Sequence, residues 1–188
     1  HDEFSDLSYP IKIDPTVTSN GTLPQASILG AGLNNSGGFT NGCDYNLSVP
    51  TPANVQITGV NSTFNYSAQN GAWLSDGATR FNYEGCVSPS GVGFFWYCFN
   101  SDAPGTCTGL NTNLFPDFQG CVPPPQCAPY DMDFTLELFY RFAGNSCSPA
   151  FIAAASDWTM TITGETVDEP APPSSSDGTS ICPGASTT

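Results

Sequence analysis

Histidine occurs once in the chain, as His1, and this limits the catalytic chemistry that the residues can support. An N-terminal histidine can chelate copper through its amine and its ring, but the copper sites of that kind need a second histidine. Ser-His-Asp and Cys-His nucleophilic sets also need a histidine beside the nucleophile. We therefore expect no copper site and no catalytic residue of these classes. We interpret His1 as the exposed end of a mature chain whose leader has been removed.

Carboxylates are the other groups that could carry catalysis, because glycosidases use two of them, one kept protonated and one ionised. No local motif selects such a pair from the available side chains, which are Glu84, Asp117, Glu137 and Asp157. Glu137 also alternates with apolar residues, as the outward face of a strand does. We predict that the protein is not an enzyme.

Exposed aromatic rings can stack against sugars, and the sequence offers one candidate for this. Trp73 precedes the turn-forming residues Ser75-Asp76-Gly77, where a ring can be displayed on the surface. Trp96 lies in an aromatic run and Trp158 alternates with other apolar residues, so both are predicted to be buried. Glycans are therefore a candidate ligand.

The eight cysteines are typical of a protein folded in an oxidising compartment. No two have the C-x-x-C spacing of a zinc site, and loop oxygens around Asp76 or Asp102 are only a weak calcium candidate. We predict four disulfides, no metal and no cofactor. Local pairs are favoured for Cys121 with Cys127 and for Cys98 with Cys107. The disulfide cysteines are Cys43, Cys86, Cys98, Cys107, Cys121, Cys127, Cys147 and Cys182.

Charge and apolar content exclude two classes of partner. The net charge is −14, which would repel nucleic acid and anionic membranes. No apolar run reaches the roughly 18 residues of a membrane span, so we expect no membrane insertion. Together with the eight cysteines, this predicts an extracellular or cell-surface location. N-x-S/T sequons mark five candidate glycosylation sites, at Asn20, Asn34, Asn46, Asn61 and Asn65.

Alternation of apolar and polar residues predicts many short strands and almost no helix. The clearest strand is 131–142, and 158–163 repeats its pattern near the C-terminus. Further strands are predicted over 43–49, 54–66, 72–74, 79–83 and 92–99, whereas 151–156 could form one helical turn. Turn residues separate these segments, which is typical of an antiparallel β-sandwich. Both faces of the run 94–99 are apolar, which favours a central position for it.

The N-terminal segment has the same alternation ahead of every cysteine. Its apolar row is followed by a polar stretch, residues 18–22, which we interpret as a hinge. We therefore divide the chain into an arm with its hinge (1–23), a sandwich (24–167) and a Pro/Ser-rich tail tethered through Cys182 (168–188). The residues predicted to form the assembly strand are Phe4, Leu7, Tyr9, Ile11, Ile13 and Val17.

An arm at 4–17, a hinge at 18–22 and a strand-rich body ending in a strand at 158–163 resemble the donor-strand-exchange subunits of extracellular pili and fibrils. In that family an incomplete immunoglobulin-like sandwich receives the N-terminal strand of another copy, and repetition builds an open filament. The resemblance therefore implies an immunoglobulin-like fold for the sandwich of this chain. Such pilins usually carry one disulfide or none, so the eight cysteines depart from the pattern. The resemblance implies a structural subunit whose partners are other copies of itself. The alternative is a monomeric adhesin or carbohydrate-binding module whose arm pairs with its own sheet.

Overall fold

The computed structural model describes residues 16–33, 42–91, 93–141 and 147–167, and it confirms the predicted all-β sandwich stabilised by disulfides. One helical turn, α1 (Phe115–Phe118), and 3-10 turns at Gln25–Ser27 and Leu74–Asp76 interrupt the strands. The strands are β1 (Thr16–Leu23), β2 (Gly32–Leu33), β3 (Cys43–Thr51), β4 (Val55–Thr63), β5 (Tyr66–Ala68), β6 (Gly77–Tyr83), β7 (Cys86–Ser88), β8 (Gly105–Cys107), β9 (Asn111–Asn113), β10 (Tyr130–Tyr140), β11 (Ile152–Ala154) and β12 (Trp158–Thr166).

Two larger sheets enclose the core. The first has the strand order β1-β12-β4-β9, and the second has β10 at its centre, with β3 on one side and β6 followed by β7 on the other. All of these pairs are antiparallel, whereas the two-residue β2 pairs with the end of β10 in parallel. A third, smaller sheet has the strand order β11-β5-β8.

The alternation in β10 and β12 decides which residues lie between the sheets. On β10 the buried row is Met132, Phe134, Leu136 and Leu138, as predicted. On β12 the ring of Trp158 is fully buried and its Nε1–H donates to the hydroxyl of Ser62 at 3.0 Å. Because successive strand residues point to opposite faces, the acids of β10 and the threonines of β12 face outward.

The predicted hinge at 18–22 is wrong, because these residues lie within β1. This strand pairs with β12 along its whole length, from Thr16 opposite Glu165 to Leu23 opposite Trp158. Val17, which was predicted to be part of the assembly strand, packs against the core of its own sandwich, and so does Leu23. Of the residues that suggested a hinge, Thr18, Asn20 and Thr22 form the outward row of an edge strand, and Ser19 and Gly21 lie on its inner side. Five of the predicted assembly residues lie outside the described chain, namely Phe4, Leu7, Tyr9, Ile11 and Ile13.

Three other local predictions need correction. The described part of the predicted strand 92–99, residues 93–99, forms no strand, and Phe95 makes an isolated β-bridge with Thr79, so this run is not a central strand. Residues 152–154 form β11 instead of a helical turn, because they pair with β5. Leu74 lies in a 3-10 turn instead of the strand predicted over 72–74.

The predicted disulfide between Cys98 and Cys107 is present, but Cys121 is bonded to Cys86 and not to Cys127. The chain turns after α1, which packs against β7, and this brings Cys121 to Cys86 at the start of β7. A third disulfide joins Cys43 to Cys147. Cys127 is disulfide-bonded as well, and Cys182 lies outside the described residues. Disulfides indicate folding in an oxidising compartment, as in extracellular proteins.

Candidate functional site

An aromatic segment, residues 94–97, lies beside β6 and has two different faces. Two hydrogen bonds hold it there, from Thr79 N–H to the Phe95 carbonyl at 3.2 Å and from Phe95 N–H to the Thr79 carbonyl at 2.8 Å. Phe95 and Tyr97 pack against the core, whereas Phe94 and Trp96 pack on the outer side, over Ala78 and Phe139. Trp96 is therefore half-buried on the outer surface, and the prediction that it belongs to the core is wrong.

Trp73 and Phe99 are the most exposed aromatic side chains in the described chain, at 48% and 56% of their full exposure. Together with Phe94 and Trp96 we call them the aromatic patch. The rings of Trp96 and Phe99 contact each other edge to face, with centroids 5.9 Å apart. Trp73, the candidate for display on the surface, is exposed, and Trp158 is buried as predicted.

The local backbone explains why the indole of Trp73 points outward. Its neighbours Ala72 and Leu74 are buried, so the side chain between them is left on the surface. The Trp73 N–H donates to the Asp76 carboxylate at 2.8 Å, which holds the 3-10 turn that follows. Asp76 is itself buried, so this bond is shielded from water.

The loop carrying Trp73 and the loop carrying Phe99 are tied together. Leu74 N–H donates to the Ala103 carbonyl at 3.0 Å, and Ser75 N–H donates to the Ser101 carbonyl at 3.2 Å. The Ser75 hydroxyl also donates to the Asp102 carboxylate at 3.0 Å. Because the Cys98–Cys107 disulfide closes the second loop at its base, the two exposed rings are carried on a braced support.

A charged group borders the patch on the outer face of the second sheet. Arg80 forms a bidentate ion pair with Glu137, and the Asn82 amide donates to the same carboxylate at 2.7 Å. Burial by itself raises the pKa of Glu137, but the hydrogen bonds from Arg80 and Asn82 and the positive charge of Arg80 lower it below its usual value. This carboxylate is therefore held ionised and acts as an acceptor, not as an acid.

The carboxylates considered for glycosidase chemistry lie in separate surroundings. Asp117 accepts from the Ser88 hydroxyl at 2.6 Å, Glu137 pairs with Arg80, and Asp157 accepts from the Gln25 N–H at 2.7 Å. Glu84 is exposed in the turn before β7. In the part of the chain that the structure describes, no three metal-ligating residues cluster together. The same residues contain no helix long and apolar enough to cross a membrane.

The sequons lie in two kinds of position. Asn20 in β1 and Asn46 in β3 are exposed, whereas Asn61 in β4 and Asn65 are half-buried. Asn34 lies outside the described residues.

The sequence reasoning missed Phe94, Phe99 and the Arg80–Glu137 pair as parts of one surface. The sequence did contain a signal for Phe94, because in a run of aromatic residues that forms a strand every second ring must point outward. Arg80 is one of only three basic residues in the chain, which could have marked it as a partner for a carboxylate.

Comparison with known proteins finds no matching family model, no matching curated protein and no matching solved structure.

Proposed function

We propose that the protein is a secreted carbohydrate-binding module whose aromatic patch stacks against sugar rings. The observation that carries this proposal is the exposure of Trp73 and Phe99 on two loops that are tied to each other. Burying large aromatic side chains is strongly favourable, and a group of exposed aromatic residues on one surface is a feature of interaction sites. A rigid support also reduces the conformational entropy that the loops lose when a ligand binds, and so reduces the free-energy cost of binding.

The surroundings of the patch favour an uncharged or amino-substituted saccharide. The protein carries a net charge of −14, which would repel sulfated and uronic sugars. Asp102 lies on the Phe99 loop, and its carboxylate can accept hydrogen bonds from sugar hydroxyls as well as from Ser75. Stacking rings with a few polar acceptors are what a sugar-binding surface requires.

Alanine variants of the exposed rings test this proposal on an array of neutral, amino and acidic glycans. We expect the parent protein to bind neutral or amino glycans. We expect Trp73→Ala and Phe99→Ala each to weaken binding by about tenfold or more, which corresponds to about 1.4 kcal/mol. Leu29→Ala is the matched control, because Leu29 is 60% exposed and lies on a different part of the surface.

Two results would contradict the glycan proposal. One is equal binding by the parent and both aromatic variants. The other is a loss of binding in Leu29→Ala as large as the loss in Trp73→Ala, because that would point to a general effect on folding or solubility. Thermal unfolding of all four proteins separates these cases.

A filament subunit assembled through the N-terminal strand is the second candidate function. The observation that favours it is the phase of β1, in which Val17 faces the core. Ile11, Ile13 and Val17 all stand at odd-numbered positions, so the alternating apolar pattern of the sequence extends to the N-terminal side of β1. An apolar strand next to a sandwich can pair with the sheet of another copy.

Removal of residues 1–15 tests the filament proposal while keeping β1 complete. If the arm joins copies, light scattering should show polymers of the full chain and monomers of the shortened chain. A double variant, Ile11→Asp with Ile13→Asp, keeps the length of the arm and should also be monomeric. A full-length protein that is already monomeric at high concentration would exclude this function.

A further inference from the structure

The two exposed sequons lie on the two long edge strands of the sandwich. Among the described strands, β1 pairs only with β12 and β3 pairs only with β10, so the other side of each lacks a described partner strand. These edges are eight and nine residues long. An edge of this length is a template for pairing with another chain.

The two edges meet on the same side of the molecule. Gly21 of β1 approaches β3 so closely that an added Cβ would lie 2.7 Å from the Ser48 carbonyl oxygen. Asn20 and Asn46, however, point to the outer faces of opposite sheets. The two sequons therefore bracket one rim of the sandwich.

The residues of β1 and β3 offer little protection against pairing of these edges with a strand of another chain. The sequence of β1 contains no lysine, no other charged residue and no proline, which are the usual features that keep an edge strand from pairing. In β3, protection is limited to Asp44 and Pro50. An additional barrier is therefore needed if the protein is to stay monomeric.

Asn20 and Asn46 are held in the same orientation by a threonine on the neighbouring strand. The Thr161 hydroxyl donates to Asn20 Oδ1 at 2.7 Å, and the Thr135 hydroxyl donates to Asn46 Oδ1 at 2.8 Å. Both side chains are exposed, so solvent can reach the amide nitrogen of each. This nitrogen is the atom to which an N-glycan is attached.

The other described sequons differ. Asn61 lies on β4, which has strands on both sides, and is half-buried. Asn65 is half-buried too, and its Oδ1 accepts from Leu110 N–H at 3.5 Å. Neither of them borders a long edge.

We propose that N-glycans on Asn20 and Asn46 cap the β1 and β3 edges and keep the protein from pairing with other copies. Attachment forms a bond between Asn Nδ2 and the anomeric carbon of an oligosaccharide carried on a lipid diphosphate. The bond between that carbon and the diphosphate oxygen breaks, the lipid diphosphate leaves, and the amide nitrogen loses a proton. The bulk of each glycan then stands where an added strand would approach.

Mass spectrometry of protein secreted from a eukaryotic host tests occupancy, and light scattering tests the consequence. We expect glycans on both Asn20 and Asn46 and a monomeric glycoprotein. The double variant Asn20→Gln with Asn46→Gln should form dimers or larger species at concentrations where the parent stays monomeric. Asn61→Gln is the matched control, because it removes a sequon from a central strand. This variant should stay monomeric.

A second double variant, Thr22→Ala with Ser48→Ala, removes the same two sequons but keeps both asparagines. It should associate as the first double variant does. The parent glycoprotein should also associate after enzymatic removal of its glycans. This third form was folded before its glycans were removed, so a failure to fold cannot explain its association. Absence of glycans from Asn20 and Asn46, or monomers in all three unglycosylated forms, would overturn the proposal. The glycan-array result is independent of this outcome.

Discussion

Arg80 and Glu137 lie opposite each other on β6 and β10 and form a bidentate ion pair on the outer face of the second sheet. The same guanidinium lies over the ring of Phe94, 5.1 Å from its centroid, and 5.4 Å from that of Phe139. The pair therefore connects the sheet to the aromatic patch. Its loss should affect both stability and the position of Phe94.

Glu137→Gln should lower the free energy of unfolding at pH 7 by about 1–3 kcal/mol, since it removes charge-assisted hydrogen bonds. The pKa of Glu137 is lower in the folded protein than its ordinary value of 4.5. Its stabilising effect is therefore complete above about pH 4.5 and is lost as the pH falls through the folded-state pKa. Urea unfolding at pH 7, 5 and 3 measures this. The difference between parent and variant should shrink at pH 3.

Asp44→Asn should stabilise the protein slightly at neutral pH. Partial burial and the negative charge of Glu137, its cross-strand neighbour, raise the pKa of Asp44, although Arg80 acts in the opposite direction. The ionised form is therefore unfavourable in the folded state, and its cost appears as the pH rises through the raised pKa. We expect a gain of only about 0.2–0.5 kcal/mol, because the site is well exposed to solvent. Thermal unfolding at pH 7 and pH 3 should show the gain at pH 7 alone.

Gly21→Ala should destabilise the fold, because β1 and β3 leave no room for a methyl group between them. The new Cβ would lie 2.7 Å from a backbone oxygen and 2.9 Å from a methyl of Val49. Overpacking of this kind costs about 1–3 kcal/mol. Gly120→Ala is the control, since nothing lies within 4 Å of its added Cβ. Equal unfolding midpoints for the two variants would show that β1 does not dock against β3 in solution.

Removal of different disulfides should have different consequences. The Cys43–Cys147 bond spans 104 residues, and its loss should cost about 4–5 kcal/mol in the chain-entropy account. The Cys98–Cys107 bond spans 9 residues, so its loss should cost about 2.5 kcal/mol by the same account. Glycan binding should nevertheless suffer more in the second variant, because that disulfide braces the Phe99 loop. Serine pairs, denaturant unfolding and the glycan array measure both effects.

The alternation of residues alone was enough to predict β3, β10 and β12 and the faces of their side chains. The physical reason is that a strand with one buried face must repeat every two residues. The Cys98–Cys107 pair was predicted from the closeness of the two cysteines in the chain, and Trp73 was a candidate for exposure because it precedes turn-forming residues. Both depend on residues close together in the chain.

Tertiary contacts decided what residues 18–22 and 94–97 would become. A polar row suits a hinge and an edge strand equally well, and only pairing with β12 made residues 18–22 a strand. Likewise, Trp96 faces outward because Phe95 bridges to Thr79, and Cys121 reaches Cys86 because α1 packs on β7. Sequence alone thus determined the strand periodicity and the all-β class, since these are local properties. The aromatic patch and the bracketed rim depend on long-range register, which no local pattern contains.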